Sequence, residues 1–264
     1  MQIKKFISLG IAAILVGVSL ISLAGCIDYN RVVGSKNIET RQFDYSDFKR
    51  IEVSYAFKVD VTRSDTYSVS VTMNDNIFND LDISITGDTL RIGMKSLKHF
   101  VSITQHAAIS LPELDALVIT GACQAVVSGF QSDGNLDLEV NGVSSMEIND
   151  LKTADADIKV LGFSHLSGSL ITNNSDFEVT GASNIKLTGS ASMMQPNVIG
   201  ASHAALTDFI VEDASVMAEG ASTADVEVHG TLDVDVSGVS TLVYGDSPKL
   251  GRVEVSGIST LSRR

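Results

Sequence analysis

The sequence predicts an all-β fold, a single-stranded parallel β-helix (β-solenoid) with coils of about 19–20 residues. Right-handed winding is the expected hand. Three observations predict this fold. A Gly-x-Ser triplet, once Gly-x-Cys, recurs eight times, apolar and polar residues alternate on both sides of each triplet, and turns rich in Asp, Asn, Gly and Ser separate the repeats. A repeat this short buries its apolar face only by stacking on its neighbours, which is how a solenoid is built.

Composition and charge exclude several classes of protein. A hydrophobic fraction of 44% with only 19% charged residues provides for a substantial core, so the chain is not globally disordered. The net charge of −13 argues against a nucleic-acid partner, because phosphates would be repelled. Two cysteines without a CxxC motif form neither a disulfide framework nor a cysteine zinc site. We expect no cofactor and no bound metal.

The first 26 residues have the pattern of a targeting segment. Lys4 and Lys5 form a positive start, an apolar run extends from Phe6 to Leu23, and small residues lead into Cys26. A membrane-spanning helix of ~20 apolar residues is the alternative. The sequence Leu-Ala-Gly-Cys, however, resembles the lipobox of bacterial lipoproteins, which places cleavage just before the cysteine. The resemblance implies that Cys26 carries the lipid, and several acyl chains together give stable anchoring.

The residues after the cysteine predict an address and a linker. Sorting rules for lipoproteins retain at the inner membrane those with Asp directly after the cysteine. Here Ile27 takes that position, so we expect the outer membrane if the host has one. Residues 27–42 are polar with little periodicity and are expected to form a tether. Residues 43–110 alternate as strands do but lack the triplet, which predicts an irregular β region, either a cap or the first coils.

Residues 111–264 are predicted to form the solenoid proper. Two residues before each glycine the column is apolar, as at Val160, Val179 and Val198, whereas the column one residue earlier is mostly polar. A period of two is typical of half-buried strands. We therefore expect those three valines to lie directly above one another. The repeat glycines are Gly121, Gly142, Gly162, Gly181, Gly200, Gly220, Gly238 and Gly257.

Three columns at the triplet need interpretation. Glycine and serine share the parity of the buried columns, so both are expected to point inward. The serines are either a row of nucleophiles or small residues that satisfy backbone groups along the stack, and eight equivalent positions favour the second. Cys123, in the same column, is expected to be a buried apolar residue without a reactive role. The residue after each glycine is apolar despite its outward parity; we expect the glycine to bend this column inward, with an exposed apolar stripe as the alternative.

The outward polar groups give few candidate sites. His165 and His203 lie two coils apart, too far to share one metal. Asp155 and Asp157 lack the glycine-aspartate repeat of calcium-loaded β-rolls. A cluster of outward carboxylates would suit glycoside hydrolysis, but a solvated face of the rod is the favoured explanation; these carboxylates are Glu139, Glu178, Asp235 and Glu254.

The order of motifs resembles a bacterial family, the putative auto-transporter adhesin, head GIN domain. The similar features are the lipobox leader, Phe48-Lys49-Arg50-Ile51-Glu52-Val53, Gly87-Asp88-Thr89-Leu90-Arg91-Ile92, Leu111-Pro112-Glu113-Leu114, and the Gly-Ala-Ser-like triplets that follow. The resemblance extends over roughly residues 43–264. It implies an exported β-helical protein with a proposed role in adhesion, and it supplies no catalytic residues.

The functional prediction is a non-enzymatic, lipid-anchored protein of the cell envelope, acting as an adhesin or a structural interaction module. The alternative is a polysaccharide lyase or hydrolase, since right-handed β-helices host such enzymes. An acyltransferase on a left-handed β-helix is disfavoured, because strict hexapeptide periodicity is missing. Expected partners are the membrane through the lipid anchor and a protein or glycan at the surface. Self-association at the end of the solenoid is a further expectation.

Overall fold

The computed structural model describes residues 31–95 and 98–264 and confirms the predicted fold, a β-solenoid of about seven turns with 70% strand and 3% helix. The N-terminal elements are β1 (Arg31–Val33), β2 (Ile38–Phe43), β3 (Arg50–Tyr55), β4 (Lys58–Arg63), β5 (Ser68–Asn74), the 3₁₀ helix η1 (Asp75–Asp80), β6 (Leu81–Thr86), β7 (Thr89–Met94), β8 (His99–Val101) and β9 (Gln105–Leu111). The solenoid strands are β10 (Ala116–Gly121), β11 (Gln124–Ser128), β12 (Leu136–Gly142), β13 (Ser145–Lys152), β14 (Asp155–Gly162), β15 (His165–Ile171), β16 (Asn174–Gly181), β17 (Asn184–Gly200), β18 (His203–Gly220), β19 (Thr223–Val228), β20 (Thr231–Val236), β21 (Thr241–Gly245), β22 (Lys249–Val255) and β23 (Thr260–Arg263).

Each coil places one strand before its glycine and one after it. Equivalent strands of successive coils pair in parallel, which gives the rod two ladders that meet at the glycine corner. Val160, Val179 and Val198 are direct partners in this ladder and all three are fully buried. The predicted vertical stacking is therefore confirmed. The alternation of apolar and polar residues produces it, because successive side chains of a strand point to opposite faces.

The solenoid begins earlier in the chain than the triplets indicate. Strands β3 and β4 pair in parallel with β10 and β11, and Tyr55 is the partner of Gly121. Tyr55 has a φ of 80°, like the repeat glycines, and Phe57 lies fully buried in the column that serine occupies elsewhere. The segment Tyr55-Ala56-Phe57 is thus a corner of the same kind, which the sequence pattern missed because neither glycine nor serine marks it.

The remaining N-terminal strands close the first end of the rod. Strand β5 runs antiparallel between β2 and β9, and β6 forms an antiparallel hairpin with β7. Between β5 and β6 the helix η1 buries Ile77 and Phe78 in the core. The irregular N-terminal region is therefore both an early coil and a cap.

The segment expected to be a tether is largely folded. Strand β1 pairs with β8, and β2 pairs with β5 along its whole length. The tether prediction is wrong for residues 31–42, because backbone pairing orders a segment that is polar and lacks an apolar period. The predictions for residues 1–26, including acylation of Cys26, lie outside the described residues. In the described part of the chain no helix is long and apolar enough to cross a bilayer.

A single core runs through the rod. Its buried apolar residues extend in sequence from Phe48 to Leu242, and Phe177 packs against Phe209 with ring centroids 5.8 Å apart. In the last described coil the same columns are uncovered: Val255 is 44% exposed, whereas its ladder partner Val236 is 0% exposed. Among the described residues, the first coils are covered by the N-terminal strands and the last coil is exposed.

Candidate interaction surface

The glycine of each triplet forms a sharp corner at which a side chain would collide with the neighbouring coil. All eight have a positive φ, between 73° and 104°. A Cβ at Gly181 would lie 2.5 Å from the carbonyl oxygen of Gly162 in the preceding coil, far inside any normal contact. The prediction that these glycines point inward is wrong. A side chain at this position would point along the rod, at the backbone of the preceding coil. The corner thus brings successive coils close together.

The serine after the corner forms hydrogen bonds with the backbone. All of these serines except Ser259 are buried, and all except Ser222 accept, through Oγ, a hydrogen bond from the backbone N–H of the equivalent residue one coil earlier. The N–H of Ser164 donates to Ser183 Oγ at 3.3 Å, and the N–H of Cys123 donates to Ser144 Oγ at 3.1 Å. The same contact links Ser144 to Ser164, Ser183 to Ser202, Ser222 to Ser240 and Ser240 to Ser259. A backbone role therefore explains this column without a row of nucleophiles.

Cys123 follows the same column with sulfur in place of oxygen. Its side chain is fully buried, and its Sγ lies 3.5 Å from the carbonyl oxygen of Thr120. Burial raises the pKa of the thiol, which keeps it protonated at neutral pH. The geometry agrees with the expected apolar, unreactive role.

The residues after the glycines form an apolar row, exposed at every position except the half-buried Ala182, which we call the crest. We expected the corner to bend this column inward, and that prediction is wrong. Val143 is 69% exposed, Phe163 73%, Val239 61% and Ile258 81%. The strand parity holds through the corner, so the buried serine is followed and preceded by outward positions. The crest consists of Ala122, Val143, Phe163, Ala182, Ala201, Ala221, Val239 and Ile258.

Charge is kept away from the crest and concentrated on the faces of the rod. Asp137, Asp157 and Asp176 are successive ladder partners on the face formed by β12, β14 and β16. Partial desolvation of this exposed carboxyl, and then the neighbouring carboxylate of Asp157, raises the pKa of Asp176. Cations sit beside these acids: Arg50 Nη2 lies 3.3 Å from Asp137 Oδ2, and Lys159 Nζ lies 3.7 Å from Asp157 Oδ2. A stacked row of like charges favours counter-ions and basic neighbours at this face.

A shallow depression of about 210 Å³ collects the charged groups that the enzymatic alternative requires. Glu139, Asp157 and Lys159 line it, together with Arg50 and Asp137. The cations here pair with carboxylates at the surface. Of the outward acids considered from the sequence, the depression includes Glu139 but not Glu178, Asp235 or Glu254.

The histidines are separate, as expected. His165 and His203 are both ladder partners of Asn184, one on each side, so they lie two coils apart. A different grouping, which the sequence does not reveal, brings ligand atoms of Glu227, His229 and Asp246 within 4.8 Å of one another. All three already have partners of opposite sign: Glu227 Oε2 accepts from Arg264 at 2.8 Å, and His229 Nε2 lies 3.5 Å from Asp246 Oδ2. These residues come from neighbouring coils, so no local sequence motif predicts the grouping.

The stacked corners, the two parallel ladders and the covered first coils define the class of the protein, a capped parallel β-solenoid. The chain belongs to the family described as putative auto-transporter adhesin, head GIN domain, whose model matches residues 47–248. No curated protein matches the chain.

Solved structures share the fold at low sequence identity. A putative lipid binding protein from Parabacteroides distasonis has a TM-score of 0.81 at 19% identity, over 89% of this chain and 99% of that one. A putative adhesin from Parabacteroides merdae has a TM-score of 0.74 at 14% identity, over 89% and 99%. A putative adhesin from Bacteroides fragilis has a TM-score of 0.69 at 18% identity, over 88% and 100%. These structures agree in fold, and the match of the family model confirms the predicted family.

Proposed function

We propose that the protein is a non-enzymatic, lipid-anchored module of the bacterial envelope that acts in adhesion or a related surface interaction. The proposal rests on the roles that the repeated residues have in the fold. The corner serines serve backbone N–H groups, and the exposed groups repeat along the rod instead of converging on one atom. A surface of this kind presents many equivalent contacts, which suits binding an extended partner.

Membership of an adhesin family and the lipobox support the envelope assignment. The family is described as a putative auto-transporter adhesin, head GIN domain, and solved structures of the same fold are described as a putative adhesin and a putative lipid binding protein. Cys26, preceded by Leu-Ala-Gly, is the proposed acylation site, and Ile27 after it supports outer-membrane sorting. The proposed partners are the membrane through the lipid and a glycan or protein at the surface. A further proposed contact is self-association through the uncovered last coil.

Metabolic labelling tests the anchor. Cells that express the full chain are fed labelled palmitate, and the wild type is expected to take up label whereas Cys26→Ala does not. Cys123→Ala is the matched control, because that cysteine is buried and should leave labelling unchanged. Equal labelling of wild type and Cys26→Ala would remove the anchor from the proposal.

A binding screen tests the adhesive role. The fragment 27–264 retains the whole buried core, which runs from Phe48 to Leu242. It is screened against glycans and envelope components, with sugar-degradation assays in parallel. Binding without turnover is the expected result. Degradation that Asp157→Asn abolishes would establish the enzymatic alternative instead, since Asp157 lies in the charged depression.

A further inference from the structure

The crest is a continuous apolar line on the outside of the rod. The glycines that precede its residues stack coil on coil, so its eight positions follow one another at the strand spacing. Seven intervals of ~4.8 Å give a length on the order of 34 Å. Core burial explains the apolar columns elsewhere, but it does not explain this one, because Phe163 is 73% exposed and Ile258 81%. An exposed apolar line of this length marks a contact surface.

The columns beside the crest carry almost no charge. In the column before the glycines the residues are Thr120, Asn141, Leu161, Thr180, Ile199, Glu219, Ser237 and Ser256. In the column after the serines they are Gln124, Ser145, His165, Asn184, His203, Thr223, Thr241 and Thr260. Glu219 is the one acid in these two columns, and neither contains Lys or Arg, although the chain has a net charge of −13. The partner that fits this strip is uncharged where it touches and apolar at its centre.

The first described strand, β1, lies beside the row of corners that carries the crest. Strand β8, the partner of β1, lies in the connection between β7 and β9. Those two strands pair with β3 and β4, which are joined by the first corner, Tyr55 to Phe57. Arg31 therefore lies on the crest side of the rod, at its capped end. From Cys26 to Arg31 there are five residue steps, which reach at most about 18 Å.

We propose that the crest is a membrane-contact surface, along which the rod lies on the bilayer that holds its anchor. This inference rests on the proposed lipid anchor, which would hold the corner within a few residues of the headgroups. Apolar side chains that project from a polar surface enter the boundary between headgroups and acyl chains to a depth of ~5–10 Å. A convex line one residue wide is a poor match for a second copy of the chain, because a stable interface buries about 800 Å² on each partner.

This orientation is consistent with the position of the charged side chains on the faces of the rod. With the crest against the bilayer, the carboxylates of Asp137, Asp157 and Asp176 stay in water on a face of the rod. The anchor also raises the local concentration of the crest at the membrane, so that weak contacts suffice. The contact is expected to be stronger with neutral lipid than with anionic lipid, because the chain carries a net charge of −13.

A depth measurement tests the proposal independently of acylation. The fragment 27–264 carries an N-terminal hexahistidine and is tethered to phosphatidylcholine vesicles that contain a nickel-chelating lipid. A single cysteine is labelled with an environment-sensitive fluorophore in a Cys123→Ser background. The crest positions are Val143→Cys and Val239→Cys, and the matched exposed positions on the two faces are Asp157→Cys and Lys186→Cys. Quenching by spin-labelled phosphatidylcholine and by aqueous iodide is then compared.

The expected result is that the crest probes are quenched by the lipid and protected from iodide, while the face probes behave in the opposite way. Equal quenching at all four positions would overturn the proposal. Protection of the crest probes before vesicles are added would also overturn it, and would assign the crest to a second copy of the chain. If the crest probes respond as expected but Cys26 takes up no palmitate, the anchor alone fails, because nickel replaces it here.

Discussion

Replacing one corner glycine tests why glycine recurs. In Gly181→Ala the new Cβ would lie 2.5 Å from the Gly162 carbonyl oxygen, and the backbone has a φ of 91°. The left-handed conformation costs an alanine ~1–2 kcal/mol. Forcing a methyl group into a packed contact costs ~1–3 kcal/mol more. We therefore expect the free energy of unfolding to fall by about 2–5 kcal/mol, a large share of the usual 5–15 kcal/mol of a folded domain.

The matched control separates the two causes. Gly87 also has a positive φ, 64°, but a Cβ there would meet nothing within 4 Å. Gly87→Ala should therefore cost only the conformational part, ~1–2 kcal/mol. Urea unfolding of the 27–264 fragment, followed by circular dichroism, measures both losses as shifts of the midpoint. If the two variants lose the same stability, the close approach of successive coils is not what selects glycine, and our account of the corner fails.

Three other perturbations have definite expected outcomes. Val179→Asp buries an unpaired charge and should abolish cooperative thermal unfolding, whereas Glu178→Ala on the outer face should change the melting temperature little; equal effects would contradict the inward and outward assignment. Cys123→Ser restores the serine of the repeat and should leave the urea midpoint unchanged or raise it, while a large loss would show that sulfur packs there for its size. Because the folded state raises the pKa of Asp176, ionisation destabilises the fold above that pKa. Asp176→Asn should therefore be more stable than wild type at pH 7, with the difference vanishing below the unfolded pKa; a difference that is constant from pH 3 to pH 8 would refute this cause.

The alternation around each triplet was sufficient to predict the solenoid. Residues such as Val160 and Val179 occupy equivalent positions, and a period of two admits only a strand with one buried face. The early coil at Tyr55 was missed because its corner carries neither glycine nor serine, and only the long-range pairing with Gly121 reveals it. Strand β2 was missed for a related reason, since its order comes from an antiparallel neighbour and not from apolar residues of its own.

The candidate surface was harder to predict than the fold. The apolar residues of the crest are evident in the sequence. Apolar character usually indicates burial, however, so these side chains were wrongly predicted to point inward. The parity itself contained the right answer, because Phe163 stands one position from a buried serine and therefore points outward. The grouping of Glu227, His229 and Asp246 depends on which coils are neighbours, so it could be found only after the stacking was known.

The serine ladder gives the rod a direction. Along most of the ladder the hydroxyl of one turn accepts from the N–H of the turn before it, as Ser183 and Ser202 do, so a turn supplies an acceptor to its predecessor. Because similar contacts recur between successive turns, one complete turn can be gained or lost without creating a new kind of contact between turns. The reach of such a protein is therefore adjustable in increments of a single turn, and its length can change in evolution while its cross-section and corner stay the same.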